Sequence, residues 1–184
     1  MSRIWKLPIN IPAQVNIWVT GNDVKITWPK WELSFEVKDF VSLTQENSQL
    51  TVSVQDENIK FQKWVWGLTR TLLSNMITGV TTWFEKSLEI NWVWYKFDVV
   101  GTNKLILSVG FSHKVELIAP KGISLSADEK AKNMIYIKWI DKQQVWFFAA
   151  KIRAVKKPEP YKGKWIKYTG EYIRRKAGKT WGKK

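Results

Sequence analysis

The sequence predicts an α+β protein of two tandem, similar domains, each an antiparallel β-sheet packed against one helix, followed by a basic C-terminal tail. Three observations predict it. Short β-branched stretches with period-two alternation precede one stretch of helical period, and the same order then occurs again. The turn at Gly21 and the turn at Gly101 lie about 80 residues apart, as do the two helix cores, which suggests tandem duplication. Positive charge is concentrated at the C-terminal end. The expected boundaries are 1–82 and 83–155 for the two domains and 156–184 for the tail.

In the first half, Val15–Val19, Val24–Thr27, Leu33–Val37, Val41–Leu43 and Leu50–Val54 alternate as half-buried strands do. Thr20-Gly21-Asn22-Asp23 and Gln45-Glu46-Asn47-Ser48 carry the turn chemistry between them. Phe61 to about Val80 reads as a helix, with Leu68, Leu72, Leu73, Met76 and Ile77 at the spacing of one buried face. The second half offers Leu88–Ile90, Tyr95–Val100, Lys104–Val109, Val115–Ile118, Ile123–Leu125 and Met134–Ile140 as strands. Gly101-Thr102-Asn103 and Pro120-Lys121-Gly122 supply turns. Asp141, with Gln144 three residues on, suits the start of a second helix whose inner face is Val145, Phe148, Ala149 and Ile152. Pro158 and Pro160 prevent that helix from continuing.

Each unit buries a one-faced sheet under a helix, and the 45% hydrophobic content supplies a core. The absence of cysteine removes disulfides, thiolate nucleophiles and the common zinc sites, and suits a reducing compartment. No apolar run approaches the roughly 20 residues of a membrane helix, and prolines interrupt the N-terminus where a signal peptide would be continuously apolar. The expectation is a cytoplasmic protein with no membrane partner. No Gly-rich phosphate loop, serine elbow or metal-ligand cluster is visible, so neither catalysis nor a cofactor nor a small-molecule substrate is expected.

Charge says more. Residues 1–82 carry eight basic and seven acidic side chains and residues 83–150 carry nine and seven, whereas 151–184 carry thirteen and two, or +11 of the net +14. Such a block repels itself, and either remains a solvated, disordered tail or has a polyanionic partner that relieves the repulsion. Tyr161, Trp165, Tyr168 and Tyr172 are interleaved with it, and aromatic faces stack on bases while lysines hold phosphates. RNA is therefore the expected partner, through Lys156, Lys157, Lys162, Lys164, Lys167, Arg174, Arg175 and Lys176. Tyr161 and Tyr168 are candidates for stacking or hydrogen bonding, and Gly163 for close backbone approach.

The segment KKPEPYKGKWIKY, Lys156 to Tyr168, resembles the signature run of the bacterial large-subunit ribosomal protein L6 family, in which Pro-Glu-Pro-Tyr-Lys-Gly-Lys-Gly precedes the final strand. The opening SRIWKLPINIPA, the helix WGLTRTLLSNMITGV (Trp66–Val80), the hairpin VGFSHKVEL (Val109–Leu117) and the helix IDKQQVWFFAAKIRAV (Ile140–Val155) are similar to that family in the same order. The resemblance implies a structural constituent of the large (50S) subunit. It implies binding to 23S ribosomal RNA near the sarcin–ricin loop and the translation-factor site, with neighbouring large-subunit proteins as partners. It adds Lys142, Gln143 and Arg153 on the second helix, and Ser112 and His113 in the hairpin, as RNA-contacting residues. The rival reading is an RNA-binding module or chaperone acting off the ribosome.

One departure from that family is systematic. Trp5, Trp28, Trp31, Trp83, Trp92, Trp94, Trp139, Trp146, Trp165 and Trp181 stand where it usually has glycine, while Trp66 matches a tryptophan common there. Trp18 and Trp64 have no clear counterpart. The indoles could be a stacking platform for RNA, core aromatics, or glycines encoded by UGA and translated as tryptophan. Steric reasoning favours the third, because an indole is tolerated badly where the backbone needs positive φ or close approach.

Overall fold

A computed structural model describes residues 4–46, 48–128 and 133–178. The chain divides into two compact units, Met1–Trp83 with Ile140–Lys142, and Phe84–Trp139 with Gln143–Lys184. The fold is α+β, and each unit repeats the plan of antiparallel sheet and helix.

In the first unit a short 3-10 turn at Ile4–Lys6 precedes six strands: β1 (Ile9–Asn10), β2 (Asn16–Thr20), β3 (Asp23–Trp28), β4 (Trp31–Glu36), β5 (Val41–Glu46) and β6 (Gln49–Val54). They form two three-stranded sheets, in the orders β2-β3-β4 and β1-β6-β5, rather than one. Gly21 at φ 61° closes the β2–β3 hairpin, where Thr20 faces Asp23, and Pro29-Lys30 closes the next, where Trp28 faces Trp31. Helix α1 (Lys60–Thr82) covers them through Trp66, Thr69, Leu73, Ile77 and Val80. This face is displaced from the one expected. Leu68 is 55% exposed, because the spacing 66, 69, 73, 77, 80 is centred on Trp66, whose Nε1 donates to the Val52 carbonyl at 2.8 Å. A buried indole whose polar atom is satisfied outweighs the shorter Leu68 at this interface.

The second unit contains β7 (Phe84–Asn91), β8 (Lys96–Val100), β9 (Lys104–Ser108), β10 (Val115–Ile118), β11 (Ser124–Ala127), β12 (Met134–Trp139), all but the first residue of helix α2 (Lys142–Val155), and β13 (Trp165–Tyr168). Again there are two sheets, β10-β9-β8 and β11-β12-β7-β13. The inner face of α2 is the expected one: Val145, Phe148, Ala149 and Ile152 are buried. Trp146 lies off that face at 37% exposure, its ring edge-on to Phe84 and 5.0 Å from Lys86 Nζ, so its indole does not enter the closely packed side.

Strand β13 lies within the basic C-terminal region. It pairs antiparallel with β7, Ile166 opposite Ile90, and Ile166 is fully buried in the core with Leu88, Ile90, Ile135, Phe148 and Ile152. The basic C-terminal region is therefore stitched into the second unit's sheet. Removing 156–184 would take away a strand and a core residue, so the cationic end and the unit carrying it fold together.

Candidate nucleic-acid interface

On either side of β13 the chain turns sharply, and glycines make this possible. Before it, the Gly163 N–H donates to the Glu159 carbonyl at 3.0 Å and the Glu159 N–H to the Lys164 carbonyl at 3.1 Å, with Gly163 at φ 70°. A Cβ on Gly163 would meet nothing within 4 Å, so glycine is needed there for its φ rather than for room. After β13, Gly170 at φ 77° turns the chain, and the Glu171 N–H returns to the Tyr168 carbonyl at 3.0 Å. Residues 172–176 then run back, and the Lys176 N–H donates to the Pro160 carbonyl at 2.9 Å.

This folding-back builds an open groove of about 750 Å³, lined by Asn91, Lys162, Gly163, Lys164, Lys167, Glu171, Tyr172, Ile173, Arg174 and Arg175. Six of the residues expected from sequence meet here: Lys162, Gly163, Lys164, Lys167, Arg174 and Arg175. Asn91, Glu171 and Ile173 were not anticipated, and Tyr172 was expected only as one of the aromatics interleaved with the basic block. Tyr172 is 89% exposed at the groove, and the alternation of aromatics with lysines was its only sequence signal. A groove with five cations, a glycine backbone and an exposed ring has the chemistry that holds phosphates and accepts an unstacked base.

The cations are not equivalent. Lys162, Arg174 and Arg175 are exposed. Lys164 Nζ lies 3.5 Å from the Trp92 ring centroid. Lys167, opposite Glu89 in the β13–β7 register, pairs with its carboxylate at 2.8 Å, and both side chains are about one-fifth exposed. Lys156 Nζ sits 4.8 Å from both the Phe111 and Trp165 rings, and its carbonyl accepts the Ile166 N–H. Lys157, Tyr161 and Lys176 are exposed but do not line the groove. Tyr168 is half-buried between two cations, with Lys86 Nζ 4.9 Å and Arg153 Cζ 5.4 Å from its ring.

The residues added by resemblance are not among those that line the groove. Arg153 is engaged with Glu171: Nε donates to Oε2 at 3.0 Å and Nη2 to Oε1 at 2.5 Å. That bond holds the Glu171 carboxyl below its ordinary pKa and the guanidinium above its own, against the opposing cost of burial. Lys142, which groups with the first unit, donates to Asn75 Oδ1 at 3.2 Å, and Gln143 follows it in the first turn of α2. Ser112 and His113 are exposed in the β9–β10 connection, beside a smaller cavity of about 320 Å³ shared with Trp94, Tyr95 and Phe111. The His113 and Phe111 rings lie nearly parallel, 5.9 Å apart.

The tryptophans sort by backbone. Among the described residues, four that are not glycine have positive φ, and three of them are Trp83 (56°), Trp94 (69°) and Trp165 (83°). Trp83 follows α1 with ψ 159°, its N–H on the Gly79 carbonyl, at the helix-ending position where glycine is favoured. Trp5 has its indole Nε1 buried without a hydrogen-bond partner. The Trp139 ring lies against Gly122, where an added Cβ would fall 2.0 Å from it. Trp181 lies outside the described residues.

Comparison with known proteins agrees with this architecture. The sequence profile of the family described as Ribosomal protein L6 matches residues 11–82 and 95–169, one stretch in each half. The chain is 49% identical over 183 residues to the large ribosomal subunit protein uL6 of Carboxydothermus hydrogenoformans, covering all of this chain and 98% of that one. Identity to the protein of the same name from Nostoc punctiforme is 47% over 180 residues, or 98% and 97% of the two chains. With the uL6 protein of Geotalea uraniireducens it is 47% over 184 residues, the whole of both. A duplicated α+β fold, a profile matching both repeats and near-half identity along the full length together establish that the chain belongs to the ribosomal protein L6 family.

Proposed function

We propose that this chain is a structural constituent of the large ribosomal subunit in the cytoplasm. It binds 23S ribosomal RNA near the sarcin–ricin loop and the translation-factor site, and it touches neighbouring large-subunit proteins. Its role as a ribosomal component rather than an enzyme follows from its family. The observation that carries the RNA reading is the groove joining Lys162, Lys164, Lys167, Arg174 and Arg175 around β13. Cations gathered on one anchored element neutralise several phosphates of a folded RNA at once. Double-helical RNA hides its base edges in a deep groove, so recognition is mainly of backbone and shape. Cosedimentation with large subunits through a high-salt cushion tests this. Retention supports a subunit constituent, whereas release into the supernatant would favour the chaperone reading.

The backbone also bears on the tryptophans. We propose that Trp83, Trp94 and Trp165 occupy positions that need glycine, and that the chain made in its own cells carries glycine there, encoded by UGA. The observation that carries this is that indoles occupy three of the four left-handed non-glycine positions among the described residues. The codons and the masses of the corresponding natural peptides test it. UGG codons, or masses that contain tryptophan, would end the proposal.

A further inference from the structure

Among the described residues, Glu171 is the one carboxylate lining a groove otherwise rich in cations. Taken alone, a negative charge there repels phosphate and weakens RNA binding. Its surroundings indicate the opposite effect. Arg153 grips it with two hydrogen bonds, the Tyr168 N–H donates to its Oε2 at 3.0 Å, and the paired side chains are 27% and 23% exposed. Arg153 is itself fixed, since it stands in the last turn of α2 next to the buried Ile152.

The pair therefore ties the start of the returning segment to a helix packed in the core. The far end of that segment is tied by the Lys176 N–H to the Pro160 carbonyl. Between these two anchors lie Arg174 and Arg175. We infer that Glu171, held by Arg153, is a positioning residue for the phosphate-binding groove: it sets the course of 172–176 so that Arg174 and Arg175 share the groove with Lys162 and Lys164. This inference rests on the RNA-binding reading above. It adds that the acid in the groove strengthens binding through geometry, and that Arg153 acts through Glu171 rather than on phosphate.

The sign of one measurement separates the alternatives. The full chain and its E171A, E171Q, R153A, R153A/E171A and R153E/E171R variants are titrated against a 23S rRNA transcript over a range of salt concentrations. Removing the negative charge at Glu171 raises the net charge by one, so electrostatics alone would tighten binding. Positioning instead predicts weakening, by about three- to ten-fold, the factor expected when one or two phosphates are no longer held. It also predicts a fall of roughly one to two in the salt slope, although Glu171 itself holds no phosphate. R153A should behave like E171A, the double variant should be no worse than either single, and the exchanged pair should recover affinity. E171Q keeps an acceptor for the Tyr168 N–H and decides the matter if the alanine variant unfolds. Tighter binding by E171A or E171Q, or additive losses in the double variant, would overturn the inference. Failure of the unmodified chain to bind the transcript would instead overturn the RNA reading beneath it.

Discussion

Replacing Trp94 with glycine should stabilise the second unit, and the structure gives the size of the effect. Trp94 sits in the β7–β8 turn at φ 69° with 90% of its surface exposed, so its indole contributes little burial. A bulky side chain in the left-handed region costs about 1–3 kcal/mol. Glycine recovers that strain but gives back about 0.5–1 kcal/mol of conformational entropy on folding. The net gain is roughly 1 kcal/mol, which raises the unfolding midpoint of a domain of about 100 residues by about 4–8 °C. Thermal unfolding followed by near-ultraviolet circular dichroism on W94G and W94A tests it. The alanine variant keeps a Cβ at positive φ and should gain much less than W94G. An unchanged or lower midpoint for W94G, or an equal gain for W94A, would refute the reasoning about left-handed indoles.

The other predictions concern the anchored cationic region. I166A should cost about 2–5 kcal/mol in chemical denaturation, because Ile166 is fully buried in the second core; a cost near zero would mean that β13 is dispensable. Converting Lys162, Lys164, Arg174 and Arg175 to glutamine should weaken binding to a 23S rRNA transcript. Filter binding should also record a log–log salt slope lower by about one unit for each phosphate left unneutralised. Stability should depend on pH through Glu171, whose carboxyl Arg153 holds below the ordinary 4.5. The folded chain then binds this proton less readily than the unfolded one. The contribution is complete above about pH 4.5 and is lost as pH falls through the lower folded value. The difference in unfolding free energy between wild type and E171Q should therefore be constant near neutrality and shrink below about pH 4.5.

Much of the fold was legible because periodicity reports burial. The inner face of α2 was readable, since four apolar residues stand at strict helical spacing with no competitor. The face of α1 was displaced, because Trp66 outweighs Leu68 through a hydrogen bond to Val52 that no periodicity reveals. The division of each unit into two sheets also escaped the sequence, as it depends on which strands pair rather than on which residues alternate. At the site, composition identified the cations but not their surroundings. Lys167, read from the basic block, and Arg153, added by the family resemblance, both look like free phosphate ligands in the sequence. Their partners, Glu89 and Glu171, come from a neighbouring strand and from a turn 18 residues away. The groove likewise needs left-handed turns at Gly163 and Gly170 before Arg174 and Arg175 can join Lys162 and Lys164.

Ultraviolet crosslinking in intact large subunits, followed by mass spectrometry of this chain's peptides, tests the proposed RNA-binding site directly. Adducts should fall on the peptides spanning Lys162 to Arg175, the walls of the groove around β13. Adducts confined to residues 1–83, or none on the groove peptides, would contradict the assignment.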